Sequence, residues 1–277
     1  MQIYKEMDIG TAKPSKEEMD NIRHYLIDFV SPCTRYSVAD FKKDAENAIE
    51  QILENNKIPI IVGGTGLYID SLIYGIEYSE FQLDQKFREE LEIRVENEGL
   101  DKIYQEAKQI DPIAIEKISE NDKKRILRIL EIYKATGKTK TEQEIESRLK
   151  GVKYDYHVYA INMDREKLYE RINVRVDKMI ENGLIKEVED LVGRYDEFPT
   201  SMQGLGYKEV LEYIKGRTSK QDMIEKIKQE TRRYAKRQLT WFRKNKETIW
   251  IDGLNDRQNN LNIILEGMNI EGKENKS

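Results

Sequence analysis

Cysteine is almost missing from this 277-residue chain, with Cys33 the only one. A single thiol excludes a disulfide framework and a thiolate zinc site, and it suits a reducing cytoplasm. Histidine is nearly as scarce, and His24 and His157 lie too far apart in sequence to suggest a metal site. No apolar run reaches membrane-spanning length. The opening Met1-Gln2-Ile3-Tyr4-Lys5 has no apolar core of a signal peptide. A basic excess is lacking too: the net charge is −5, so any RNA or phosphate site must come from local clusters. No internal repeat is visible. What the chain does have is charge, with 36% charged residues beside 38% hydrophobic ones. That balance suggests long helices with solvated faces. The length suffices for a large core, as one big domain or two smaller ones.

The most informative stretch is Ile60-Ile61-Val62 running into Gly63-Gly64-Thr65-Gly66-Leu67-Tyr68. An apolar run that stops at glycines and turns helical reads as the strand–loop–helix unit of an α/β sheet, where ligands bind beyond the strand ends. The glycines would let backbone approach a substrate, and Thr65 is the one side chain there able to hydrogen-bond. An ordinary tight turn fits the glycines equally well.

Around it, residues 1–77 and 151–252 read as an α/β core. Strands are predicted at 25–28, 57–62, 156–162 and 248–252, and helices at 37–55, 165–182 and 220–244. Residues 78–150 read as a helical insertion. Phe87, Leu91 and Val95 form one stripe ended by Gly99; Pro112 opens a helix after Asp111; Ile126, Ile129, Leu130 and Tyr133 form another stripe ended by Gly137. Residues 253–277 are expected to be a tail, disordered beyond Gly267.

Four clusters could carry chemistry. Arg171 and Arg175 are one turn apart and suit a phosphate or diphosphate, or a solvated stripe paired with Glu170 or Asp177. Lys124, Arg125 and Arg128 fit contacts to an RNA backbone, or a plain surface helix. In 231–243, Thr231 and Gln238 are polar within the otherwise packing stripe of Ile224, Ile227, Tyr234 and Trp241, so each needs a partner if buried. Gln203-Gly204-Leu205-Gly206-Tyr207-Lys208 precedes a helix and could hold a nucleotide backbone, or be that helix's entry. Gly137-Lys138-Thr139 only mimics a phosphate loop, because Ile132 stands where the first glycine belongs.

In order and spacing, these segments resemble the tRNA dimethylallyltransferase (tRNA isopentenyl transferase) family. The match adds Met1-Gln2-Ile3-Tyr4, Met7-Asp8-Ile9-Gly10-Thr11-Ala12-Lys13-Pro14, His24-Tyr25-Leu26-Ile27-Asp28 and Tyr36-Ser37-Val38-Ala39-Asp40-Phe41, and covers nearly all of 1–252. The resemblance implies a P-loop NTPase-like parallel sheet with a helical insertion that clasps a tRNA anticodon stem-loop. It implies transfer of a dimethylallyl group from dimethylallyl diphosphate to N6 of adenine 37, assisted by Mg2+, in a cytoplasmic monomer away from membranes. Arg175, with Arg171, would hold the diphosphate; Arg175 and Thr65 would be catalytic. Met1, Gln2 and Thr65 would lie near the flipped adenosine. Arg88, Lys124, Arg125, Ile126, Leu127 and Arg128, with Gln203, Gly204, Leu205, Gly206, Tyr207 and Lys208, would contact tRNA.

One departure matters. The family opens with a strand, a Gly-x-x-x-x-Gly-Lys-Thr/Ser phosphate loop, a helix and a strand ending in Asp-Ser-x-Gln, whose aspartate is the general base. This sequence starts at the x. The expectation is therefore an N-terminally truncated fold, inactive as it stands, with no metal ligands of its own and Met1 a misplaced start inside a longer frame. A non-catalytic RNA-binding fragment is the alternative. A transferase acting on free adenine nucleotides is disfavoured by Arg88 and the basic 124–128 helix, which a free nucleotide does not need.

Overall fold

The computed structural model describes residues 1–77 and 84–268. They form two compact units: Met1–Gly66 with Tyr156–Ser277, and Leu67–Asp155. The division thus falls eleven and five residues outside the boundaries drawn from the sequence, because residues 67–77 and 151–155 group with the helical unit. In chain order the helices are α1 Val38–Glu54, α2 Gly66–Ile73, α3 Gln85–Glu98, α4 Leu100–Ile110, α5 Pro112–Ile115, α6 Lys123–Thr136 and α7 Lys140–Leu149. Strand β1 (Tyr159–Asn162) follows, then α8 Arg165–Glu181, α9 Leu184–Arg194, a 3-10 turn at Ser201–Gln203, α10 Tyr207–Ile214 and α11 Lys220–Phe242. Strand β2 (Ile249–Asp252) and α12 Arg257–Gly267 complete the described chain.

Local chemistry explains the helix boundaries. Ser37 accepts from the Asp40 amide at 3.2 Å while the Asp40 carboxylate accepts from the Ser37 amide at 2.7 Å, closing a capping box on α1. Asp122 caps α6 through the Arg125 amide at 3.2 Å. At its other end Gly137 takes the left-handed conformation, φ 69°, that ends helices at little cost for glycine. Asp111 caps α5 and also accepts from the Thr141 amide and hydroxyl at 2.9 and 2.6 Å. Each of its two oxygens is thereby occupied, which suits a carboxylate this buried.

Two of the predicted strands are absent. At 25–28, Leu26 and Asp28 both have φ near 57°, which no strand accommodates. The neighbourhood contributes only a parallel bridge between Tyr4 and Val30. Residues 57–62 form no strand either: Ile60 is 80% exposed and Val62 91%. An extended run becomes a strand only by pairing, and among the described residues none pairs with it. The sheet is a parallel pair, Tyr159 opposite Ile249 through Asn162 opposite Asp252, so the fold is α/β with a small parallel sheet and mostly helices. Of the expected tail, residues 257–267 are helical; residues 269–277 lie outside the described set.

Each unit has its own core. The first gathers Tyr4, Met7, Val30 and Tyr36 from the N-terminal segment with Val176, Leu184, Val188, Leu191, Val210, Met223 and Ile227 from α8 to α11. The second gathers Leu91, Ile103, Ala107, Ile115, Ile126, Leu127, Ile129 and Leu130. The α3 and α6 stripes read from the sequence supply this second core, except that Tyr133 is exposed. Among the described residues no helix is long and apolar enough to cross a membrane.

Candidate active site

In the first unit the glycine loop docks on α11. Tyr234, Gln238 and Trp241 recur at i, i+4 and i+7, one helical stripe, and the loop lies along it. Gln238 Nε2 donates to the Gly64 carbonyl at 2.8 Å, and Tyr234 OH donates to the same oxygen at 3.4 Å. A Cβ on Gly64 would overlap the Gln238 amide, and one on Gly66 would overlap the Trp241 indole, whereas Gly63 has open space. Thr65 is exposed. Two of the three glycines therefore admit side chains of α11, where the sequence suggested a substrate. Thr231, the other polar residue of the stripe, donates its hydroxyl to the Ile227 carbonyl at 2.7 Å and organises nothing beyond its own helix.

Arg171 and Arg175 project from α8 and are exposed. Among the described residues neither has a carboxylate within ion-pair distance. Asp177, one partner weighed for them, is held by Lys228 of α11 at 2.7 Å. Alongside, Arg232 of α11 donates to Asn173 Oδ1 at 2.6 Å, and Tyr169 lies under both Arg165 and Arg232. The α8–α11 seam is thus basic, with Arg171 and Arg175 left uncompensated.

The N-terminal segment is anchored on Glu187, a residue that drew no attention in the sequence. Gln2 Nε2 donates to the carbonyls of Thr11 and Ala12 at 3.2 and 2.8 Å. The loop bearing those carbonyls wraps the Glu187 carboxylate of α9, which accepts from the amides of Asp8, Ile9 and Gly10 at 2.9, 2.7 and 3.2 Å. Tyr207 OH donates to the same carboxylate at 2.6 Å. Lys13 Nζ, nearly buried, meets Asp8, Asp28 and the Tyr4 carbonyl. Burial first, and then the bond to Glu187, push the Tyr207 hydroxyl well above its ordinary titration range.

Of the expected tRNA set here, Met1 lies against Gly204, while Gln203 and Lys208 are exposed and Leu205 half-buried. Gly204 and Gly206 are buried backbone. Tyr207, 1% exposed, is a core residue whose hydroxyl is already engaged, so its side chain is not free to meet RNA. The Gln203–Lys208 cluster is a helix entry: Glu209 accepts from the Gly206 amide at 2.9 Å to start α10.

In the second unit Arg88 donates to Glu131 Oε1 at 2.5 Å, and Arg128 to Oε2 at 3.3 Å. Glu131 is 4% exposed, and two guanidiniums on its two oxygens are what permit a carboxylate there. Burial opposes the charge on Arg88, but Glu131 and then Glu92 raise its basicity overall. Lys123 pairs with Glu92. Lys124 is exposed, and Arg125 is exposed beside Asp122 at 3.3 Å. Ile126 and Leu127 are fully buried. Their place in the expected RNA-contacting run is corrected: on this helix Lys124 and Arg125 face out while Ile126 and Leu127 face the core. Among the described residues no group of three His, Cys, Asp or Glu converges to hold a metal.

The chain thus combines an α/β unit and a helical unit, with the N-terminal segment clamped on Glu187, the glycine loop docked on α11 and an arginine pair on α8 left uncompensated. The family description "IPP transferase" matches residues 2–245. A tRNA dimethylallyltransferase of Acetivibrio thermocellus is 50% identical over 91% of this chain and 81% of its own length. That of Oceanobacillus iheyensis is 45% identical over 90% and 79%. Among solved structures, the tRNA delta(2)-isopentenylpyrophosphate transferase of Staphylococcus epidermidis superposes with a TM-score of 0.69 at 38% identity, covering 98% of this chain and 88% of that one. A eukaryotic dimethylallyltransferase acting on tRNA gives 0.81 at 30%, covering 100% and 73%. The chain belongs to the tRNA dimethylallyltransferase (IPP transferase) family of prenyltransferases.

Proposed function

We propose that this chain serves tRNA modification by transferring a dimethylallyl group from dimethylallyl diphosphate to N6 of adenine 37, beside the anticodon. The observation that carries this reading is the exposed pair Arg171 and Arg175, one turn apart and uncompensated. Its support is the dimethylallyltransferase name shared by relatives 45–50% identical to the chain. In the reaction, the N6–C1 bond forms as the C1–oxygen bond of the donor breaks. Diphosphate departs with the bonding pair, and N6 loses a proton to a base. Fixed guanidiniums stabilise the charge that develops on the departing diphosphate. Arg175, seconded by Arg171, takes that role, and the Thr65 hydroxyl hydrogen-bonds the acceptor. Lys124, Arg125, Arg88 and Arg128 offer charge to the RNA backbone. Mg2+, when bound, would neutralise diphosphate oxygens; the described residues converge on no metal, so no protein ligand is assigned and no step is routed through it. The enzyme works as a cytoplasmic monomer.

The reading is tested by prenyl transfer to RNA. The test incubates an anticodon stem-loop and dimethylallyl diphosphate with the chain, and separately with the chain preceded by a strand–phosphate-loop–helix segment. Transfer in either reaction supports the prenyl-transfer reading. Absence of transfer in both, with folding verified by circular dichroism, refutes the prenyl-transfer reading.

A further inference from the structure

The contact between Gln238 and the glycine loop has a direction. Alternate residues of the loop meet α11. Gly64 and Gly66 face α11, one under Gln238 and the other under Trp241, with no room for a Cβ at either. Gly63 and Thr65 are left facing away, Gly63 with nothing near its Cβ position and Thr65 exposed. Gln238 supplies the closer of two donors on the Gly64 carbonyl, 2.8 Å against 3.4 Å from Tyr234. The platform is itself weighted down by cations: Arg237 sits 5.7 Å from the Tyr234 ring centre and Lys244 4.9 Å from that of Trp241. A one-residue slip of the loop would carry Thr65 toward the places under Gln238 and Trp241 that Gly64 and Gly66 now fill, where there is no room for its side chain.

We propose that Gln238 is a positioning residue: by holding the Gly64 carbonyl it fixes the register of 63–66 and so aims the Thr65 hydroxyl at the acceptor base. This rests on the reading of Thr65 as a residue at the acceptor. The amide suits the task because it offers an N–H donor on a side chain long enough to reach the loop from α11. Glutamate in its place has the same shape, but its carboxylate has no donor to give and repels the carbonyl.

The experiment uses the 277-residue chain and needs no turnover. Affinity is measured for an anticodon stem-loop carrying adenine at position 37 and for the same RNA abasic there, in the wild type, Gln238→Glu, Gln238→Ala, Thr65→Ala and Gln238→Ala/Thr65→Ala. Amide hydrogen exchange is followed in peptides covering 61–68, with α8 as the folding control. Losing one hydrogen bond should reduce the preference for adenine over the abasic RNA about fivefold in both Gln238 variants. Exchange at 61–68 should rise, α8 should stay protected, and the double variant should be no worse than Thr65→Ala. Unchanged exchange at 61–68 would overturn the inference while leaving the site reading intact. Raised exchange with full adenine preference in Thr65→Ala would overturn the reading of Thr65, and the inference with it. Additive losses in the double variant would show Gln238 acting by another route, which also overturns it.

Discussion

Replacing Glu187 with alanine should destabilise the first unit by about 4.5 kcal/mol. The Glu187 carboxylate accepts four hydrogen bonds, from the amides of Asp8, Ile9 and Gly10 and from Tyr207 OH. A hydrogen bond to a charged group contributes about 1.5–3 kcal/mol. The Asp8 amide is exposed, so water replaces Glu187 there at little loss. The other three are part-buried, and at the lower end of the range they sum to about 4.5 kcal/mol. Tyr207→Phe removes one donor and leaves the amides satisfied, so it should cost about 1.5 kcal/mol. The ordering is the sharper expectation: the carboxylate matters about three times as much as the hydroxyl that meets it. Urea denaturation followed by tryptophan fluorescence suits the measurement, because both tryptophans, Trp241 and Trp250, lie in the first unit. Glu187→Ala within about 1 kcal/mol of wild type, or Tyr207→Phe equal to it, would refute the account of Glu187 as the anchor of 8–10.

Tyr207 also carries a pH signature. Its folded-state pKa is raised above the ordinary value of 10.0 by burial and then by Glu187, so its contribution is whole below pH 10 and lost as pH rises beyond it. The loss runs at about 1.4 kcal/mol per pH unit; Tyr207→Phe should flatten the stability decline above pH 10 by that slope, and equal slopes would refute the shift. In α6, Leu127→Ala should cost about 2–5 kcal/mol and Lys124→Ala less than about 0.5 kcal/mol, read by far-ultraviolet circular dichroism in urea; the reverse order would sink the assignment of Leu127 to the core. In a form competent for transfer, Arg175→Ala should lower kcat/KM for dimethylallyl diphosphate about a hundredfold with RNA affinity unchanged, and a loss under threefold would remove Arg175 from the diphosphate.

Periodicity was enough for α1, α3, α6, α8 and α11, though not for α9 or for α12 in the expected tail, because an apolar stripe and its caps are local. The α3 and α6 stripes, the Ser37 cap and the glycine stops at 99 and 137 needed only neighbouring residues. The strands were less legible. The 25–28 and 57–62 runs have strand-like composition, but a strand is defined by its partner, and composition cannot say whether one is beside it. The site divided in the same way. Gln238 stood out because a polar residue within a packing stripe needs a partner, yet the partner, a carbonyl 174 residues away, is a tertiary fact. Glu187 and Glu131 gave no signal, since a glutamate on an amphipathic helix looks solvated until the donors it collects are seen. Ile126, Leu127 and Tyr207 entered the RNA-contacting set by adjacency in sequence, and helix geometry turns them inward.

The interleaving of the two units has a consequence for how the chain is made. The helical unit is one uninterrupted stretch whose helices meet near neighbours, so it can fold soon after it leaves the ribosome. The first unit cannot. Its 8–10 amides wait for Glu187, and its glycine loop waits for Gln238, 174 residues later. At about 5–20 residues per second that delay is roughly nine to thirty-five seconds. Throughout it the Gly64 carbonyl lacks its Gln238 and Tyr234 donors and Gly66 lacks the Trp241 ring over it, so the register of the loop is set only once α11 has been made.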